Sequence, residues 1–309
     1  MKDFVILIDA GADLNEELQK RFNLEVIQSH IVLPSGQEIS SYLSWKDTSR
    51  EEFYTQLKKN PNGYATAPAN AQEFEDRFEK YIAEGKDVLC ISLSSGISGT
   101  FNFACQAKKA VLEKHPDSKI VCIDSLRFGP GFGLMAVHAS QLREEGKSID
   151  EVADYLEKNR NRFHQMGWLD DLSFVAKKGR ITHPKAFFGT LAGIKPMGEF
   201  DYNGLTTVIG KTKGEKAAYA AQLEYIAATI EEPEKQIIFI AQTNRMPQAI
   251  EYKRMIEERF HPVEVIISDV YPFCGINIGP GLMAAYYVGK PISQGLEEER
   301  ELVKKILGK

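Results

Sequence analysis

The sequence predicts an α/β fold in two parts, a largely parallel α/β sheet within residues 1–164 and an α+β unit within residues 165–309. Three observations carry this. Short apolar runs at residues 4–8, 88–91 and 120–123 alternate with helical stretches, the rhythm of strands joined by crossover helices. After about residue 164 a hairpin sign appears, Tyr202-Asn203-Gly204 between two extended stretches. The 309-residue length is long for a single core and suits two medium ones.

Taken in order, residues 4–8 read as a strand buried on both faces. A helix is expected from Asp13 to Phe22, with Glu16 completing a capping box, then a strand region at residues 26–33 closed by Pro34-Ser35-Gly36. Helices follow at 50–58 and, after the small-residue loop 64–70, at 71–83. Residues 88–93 form a strand, the SLSSGISGT turn spans 92–100, and FNFACQAKKAVLEKH continues as a helix. Residues 120–123 give another strand, Gly129-Pro130-Gly131-Phe132-Gly133 opens a helix to about 145, and 150–163 gives one more. Beyond come the apolar stretch 186–194, the hairpin, helices at 215–230 and 247–260, and strands at 237–241 and 263–268. Asn277-Ile278-Gly279-Pro280-Gly281 is read as opening a last apolar helix over 282–288, followed by a charged tail.

Composition narrows the function. A net charge of −5 gives no basic footprint for nucleic acid. No stretch reaches the ~18 uncharged apolar residues that a membrane span needs. The N-terminal apolar run is too short for a secretion signal, and Cys90, Cys105, Cys122 and Cys274 are widely spaced with no CxxC pair. A reduced, cytoplasmic setting is expected.

The recognised catalytic patterns each miss. Gly96-Ile97-Ser98-Gly99-Thr100 places its second glycine one position too early for a nucleophile elbow, and His30, His115, His138, His164, His183 and His261 offer no local base. GLTTVIGKT at 204–212 has five residues between its glycines where a P-loop has four. Pro130 removes an N–H that a dinucleotide phosphate would use. No His, Cys and carboxylate set has metal-ligand spacing. What remains is a set of hydroxyl- and glycine-rich turns between strands and helices: Thr66-Ala67-Pro68, Ser94 to Thr100, Gly129 to Gly133 and Asn277 to Gly281. A turn of this kind gathers free N–H groups, hydroxyls and the positive end of a helix, which suits holding an anionic head group. The plainer alternatives are that Ser98 or Thr100 caps the helix after the turn, that Thr66 caps the helix at 71, and that Arg180 is an ordinary surface charge.

Several segments together resemble the DegV family of bacterial fatty-acid-binding proteins: ILIDAGADLNEEL near the start, TAPAN at 66–70, SLSSGISGTFNFA at 92–104, IDSLRFGPGFG at 123–133, LSFVAKKGRITHPKAFFGTLAGIKPM at 172–197 and NIGPGLMAAYYVGK at 277–290. The resemblance implies two α/β domains enclosing one long-chain fatty acid, its tail in an apolar tunnel. It implies that the chain is not catalytic alone, needs no cofactor or metal, and presents its ligand to a separate ATP-dependent fatty acid kinase. Carried onto this chain, the head-group residues are Thr66, Ser94, Ser95 and Ser98, with Gly99 and Thr100 shaping the turn and Asn277 and Gly279 closing the site. Arg180 falls where such proteins meet the kinase, and a monomer is expected. Two departures stand out: the family's Thr-Ser-x-Pro reads Ala65-Thr66-Ala67-Pro68 here, and its C-terminal histidine is Asn277, which donates a hydrogen bond but carries no positive charge. The alternative from another class is a stand-alone serine hydrolase of an acyl ester using Ser98 or Ser95.

Overall fold

The computed structural model describes residues 3–183 and 193–308, so most of the apolar stretch 186–194 lies outside the described residues. Strand β1 (Phe4–Asp9) is buried along its whole length. Its alternate side chains serve two cores: Ile6 and Ile8 face one, Val5 and Leu7 the other. Helix α1 (Glu16–Arg21) starts later than expected. Asn15 is its cap, accepting from the Leu18 N–H, while Asp13 is buried with a left-handed φ of 53°. The proposed Asp13–Glu16 box is therefore replaced, because a residue in the left-handed region cannot hold the extended N-cap geometry.

Strands β2 (Glu25–Ile27), β3 (His30–Val32) and β4 (Glu38–Ser40) follow, then α2 (Arg50–Lys59), whose cap is Ser49. The stretch around Thr66, read as a loop, is strand β5 (Ala65–Ala67), paired antiparallel to β3. Helix α3 (Ala71–Ala83) has a complete capping box from Asn70 and Glu73, so Thr66 is not its cap. Strand β6 (Asp87–Ser92), α4 (Thr100–Lys114), β7 (Ile120–Asp124), α5 (Pro130–Glu144) and α6 (Ile149–Asn159) complete a four-stranded, wholly parallel sheet of order β2-β1-β6-β7. The parallel sheet expected in the first half is present.

The second half contains β8 (Phe163–Trp168), α7 (Ser173–Lys177), β9 (Ile194–Phe200), β10 (Thr206–Lys213), α8 (Glu215–Thr229), β11 (Ile237–Gln242), α9 (Met246–Phe260), β12 (Glu264–Asp269), α10 (Pro272–Ile278), β13 (Met283–Val288) and α11 (Glu297–Ile306). Its strands form a six-stranded mixed sheet, β10-β9-β8-β13-β11-β12, in which only β11 and β12 pair in parallel. The hairpin at Asn203-Gly204 joins β9 to β10, with Gly204 at a φ of 69°.

Two expectations fail in this half. Residues 282–288 are not a helix: 283–288 are the central strand β13, between β8 and β11. Ala284 and Tyr286 reach the core shared with the first half, whereas Met283, Ala285 and Tyr287 pack under α8 and α9. Such a run is apolar on both sides and has no period to distinguish it from a buried helix; its length of six residues favours the strand. The charged tail folds as α11, which buries Val303 against the second core and also buries Glu299, whose carboxylate is held by the Ser293 N–H and hydroxyl.

Candidate ligand cavity

The turn after β6 is held from two sides. Asp9, at the end of β1, accepts hydrogen bonds from the Gly11 and Leu93 N–H groups at 2.8 Å each. Burial pushes the Asp9 carboxyl up to about 6. Ser94 is fully buried; its hydroxyl donates to the Gly204 carbonyl at 2.8 Å and accepts from the Gly96 N–H at 3.1 Å. Ser94 thus staples the turn to the β9–β10 hairpin. Ser95 is exposed, with its N–H on Asp124 Oδ1 at 3.1 Å. Ser98 Oγ lies 2.8 Å from Thr100 Oγ1, and Gly99 precedes the first residue of α4 without a side-chain cap.

On the opposite side, α10 brings Asn277 over β5. Asn277 Nδ2 donates to Thr66 Oγ1 at 3.2 Å and to the Phe273 carbonyl at 3.2 Å. Gly279 ends α10 with a φ of 78°, where a Cβ would stand 2.5 Å from the Phe174 ring. Only glycine lets the chain pass there.

Between these elements, and between the two sheets, lies a cavity of about 170 Å³. Its wall is mostly apolar, with Leu93, Phe128, Leu169, Val175, Phe200 and Leu282 contributed by both halves of the chain. The residues singled out in the sequence divide on this geometry. Thr66, Ser98, Gly99, Asn277 and Arg180 meet on the cavity wall; Ser94, Ser95, Thr100 and Gly279 support the surrounding backbone and are not part of the described lining. Arg180 is the one cation among the described lining residues, and its Nε donates to the Ile97 carbonyl at 3.3 Å. Lys178 beside it is pushed down by partial burial and by the Arg180 charge, and donates to the Tyr64 carbonyl at 3.1 Å.

The structure adds lining residues that the sequence did not single out. Gln165 uses both ends of its amide on the Phe128 backbone, at 2.9 and 2.8 Å. Glu199 is buried and accepts from the Gln165 and Phe200 N–H groups at 2.6 and 2.9 Å, with His164 Nδ1 at 3.1 Å. Cys274 and Tyr286 complete this part of the wall. A polar residue inside each of the apolar runs FHQMGW and IKPMGEF was the available sign. Among the described residues no histidine hydrogen-bonds Ser95 or Ser98: His164 is engaged with Glu199 and Lys290, His30 with Glu73 and Glu38, and His138 with Tyr155. Among the described residues there is also no group of three metal-ligating side chains and no helix long and apolar enough to cross a membrane.

The DegV family model, described as an uncharacterised protein of that family, matches residues 3–290. A DegV domain-containing protein of Clostridium perfringens is 29% identical over 289 residues, covering 94% of this chain and 98% of its own. Among solved structures, a DegV family protein from Thermus thermophilus, described for its fatty acid binding, superposes with a TM-score of 0.82 at 22% identity, covering 94% of this chain and 100% of that one. The Streptococcus pneumoniae fatty acid kinase (Fak) B3 protein, loaded with linoleic acid, gives a TM-score of 0.78 at 20% identity over 93% of this chain and 100% of that one.

Proposed function

This chain belongs to the DegV family, and from that premise we propose that it binds one long-chain fatty acid in the cavity between its sheets and presents the carboxyl group to a separate ATP-dependent fatty acid kinase for acyl-phosphate formation. The observation that carries the reading is a mostly apolar cavity whose wall also carries Thr66, Ser98, Asn277 and Arg180, with Thr66 and Asn277 in contact. In this reading the acyl tail supplies the affinity. At ~0.8 kcal/mol per buried CH₂, a 16-carbon chain gains on the order of 10 kcal/mol before ordering costs. Head-group hydrogen bonds add ~1–3 kcal/mol and fix which end faces the cluster.

The Thr66 and Ser98 hydroxyls and the backbone N–H of the turn are donors without a general base beside them, which suits holding a carboxylate, and Asn277, whose two amide hydrogens go to Thr66 and Phe273, positions Thr66. In this proposal the chain supplies no catalytic group, metal or cofactor, and the phosphoryl transfer is the kinase's. Arg180, partly exposed at the cavity, is its contact with the kinase or with the incoming phosphoryl group. The division at residues 164 and 165 gives each half one side of the cavity, with β8 straddling the join. A reduced, cytoplasmic setting fits the four free cysteines.

Native mass spectrometry of the freshly purified chain, followed by denaturing extraction, tests the reading. A stoichiometric fatty acid is the expected result. A chain that is empty and also refuses added palmitate, stearate and oleate overturns it.

A further inference from the structure

Most of the cavity wall is hydrocarbon, yet two oxygens beside it are left without partners. Tyr286, on β13, is 2% exposed and lines the cavity. Its hydroxyl makes no hydrogen bond among the described residues, and it is not one of the sealed polar atoms of the interior, so it opens on the cavity. Asp13, in the loop after β1, is wholly buried; Oδ1 accepts from the Tyr271 N–H at 3.0 Å and Oδ2 has no partner. The two oxygens flank the same glycine. A Cβ built on Gly129 would stand 3.4 Å from Asp13 Oδ2 and 3.8 Å from Tyr286 Oη. Cys274, which also lines the cavity here, donates to the Gly11 carbonyl at 3.5 Å and stands beside Asp13. Gln165 and Glu199, also on the wall, are engaged elsewhere: Gln165 with the Phe128 backbone, Glu199 with the Gln165 and Phe200 N–H groups and with His164.

A buried tyrosine hydroxyl on a mostly apolar cavity wall is costly unless something in the cavity pairs with it. We propose that Tyr286, backed by Asp13, is a subsite for an oxygen carried on the acyl chain, so that this cavity accommodates a hydroxylated long-chain fatty acid. The inference rests on the fatty-acid reading and names a class of ligand within it. A chain hydroxyl can donate to and accept from the Tyr286 hydroxyl, where a methylene can do neither. Burial holds the Asp13 carboxyl well above the usual carboxylate range.

The test is a binding series with stearate and monohydroxystearates whose hydroxyl is moved along the chain, on wild type and Tyr286→Phe, with the affinity of each isomer taken relative to stearate on the same protein. Burying an unpaired hydroxyl costs about tenfold or more in affinity. The expected result is that one isomer escapes this loss on the wild type, binding within about threefold of stearate, and that Tyr286→Phe brings it down to the level of the others. Uniform loss across all isomers on the wild type overturns the proposal, and needs no variant to do so. An isomer that remains spared in Tyr286→Phe overturns it as well. In both cases stearate still binds, which separates this failure from that of the fatty-acid reading, where stearate itself is refused.

Discussion

Asn277 Nδ2 donates to Thr66 Oγ1 at 3.2 Å, joining two positions 211 residues apart in the chain across the polar end of the cavity. The contact docks α10 on β5 and leaves the second Thr66 lone pair and the hydroxyl proton for a ligand. Replacing Thr66 by Val keeps the shape of the side chain and removes both. We expect fatty-acid affinity to fall about three- to tenfold, on the scale of one hydrogen bond, in a fluorescent fatty acid displacement assay. Unchanged affinity would remove Thr66 from the head-group site.

Because Asn277 does not titrate, its contribution to carboxylate binding is the same at pH 6 and pH 8. Asn277→His introduces a group with an ordinary pKa near 6.5. In that variant, affinity should rise as the pH is lowered from 8 to 6, and the wild type should show no such rise of its own. A parallel response in the two proteins would place the carboxylate away from residue 277.

The three serines of the turn separate by location. Ser98→Ala removes a hydroxyl on the cavity wall and should weaken binding severalfold. Ser95→Ala alters an exposed side chain off the described lining and should leave binding as it is. A larger effect at Ser95 than at Ser98 in isothermal titration would reverse the assignment.

Ser94 holds structure. Its loss leaves the buried Gly204 carbonyl and the Gly96 N–H without the hydroxyl that joins them, so Ser94→Ala should lower stability by about 1–3 kcal/mol in urea unfolding. Gly204→Ala should be worse, because its Cβ would come within 1.9 Å of Ser94 Oγ at a φ of 69°. If Ser94→Ala instead left stability intact and weakened binding, Ser94 would be a ligand contact.

Asp9 makes stability depend on pH in an unusual direction for a carboxylate. Its folded-state pKa of about 6 lies above the ordinary 3.8, so between those values the folded chain holds a proton that the unfolded chain has released. The Asp9 contribution is fully present below pH 3.8 and is lost as pH rises to about 6, a change of about 3 kcal/mol. The stability difference between wild type and Asp9→Asn should therefore narrow or reverse by about 2 kcal/mol from pH 4 to pH 6, the part of that change inside this window. A difference that is flat across this range would mean that Asp9 is ionised throughout in the folded protein.

The sequence by itself determined the alternation of buried strands and helices in the first half, the Asn203-Gly204 hairpin, and the family, because these rest on local pattern and on ordered motifs along the chain. It also drew attention to Thr66, Ser98, Gly99, Asn277 and Arg180, the motif residues that meet at the cavity. Tertiary structure alone decided the rest. Residues 283–288 are a strand because β8 and β11 flank them; an apolar run gives no period that could say so. Ser94 and Ser98 look alike in SLSSGISGT, and only the approach of Gly204 turns one of them into a staple and leaves the other on the cavity wall. The cavity itself, with Tyr286 and Gln165 on its wall, is made by packing two sheets whose strands are far apart in the chain, and no local pattern encodes that distance.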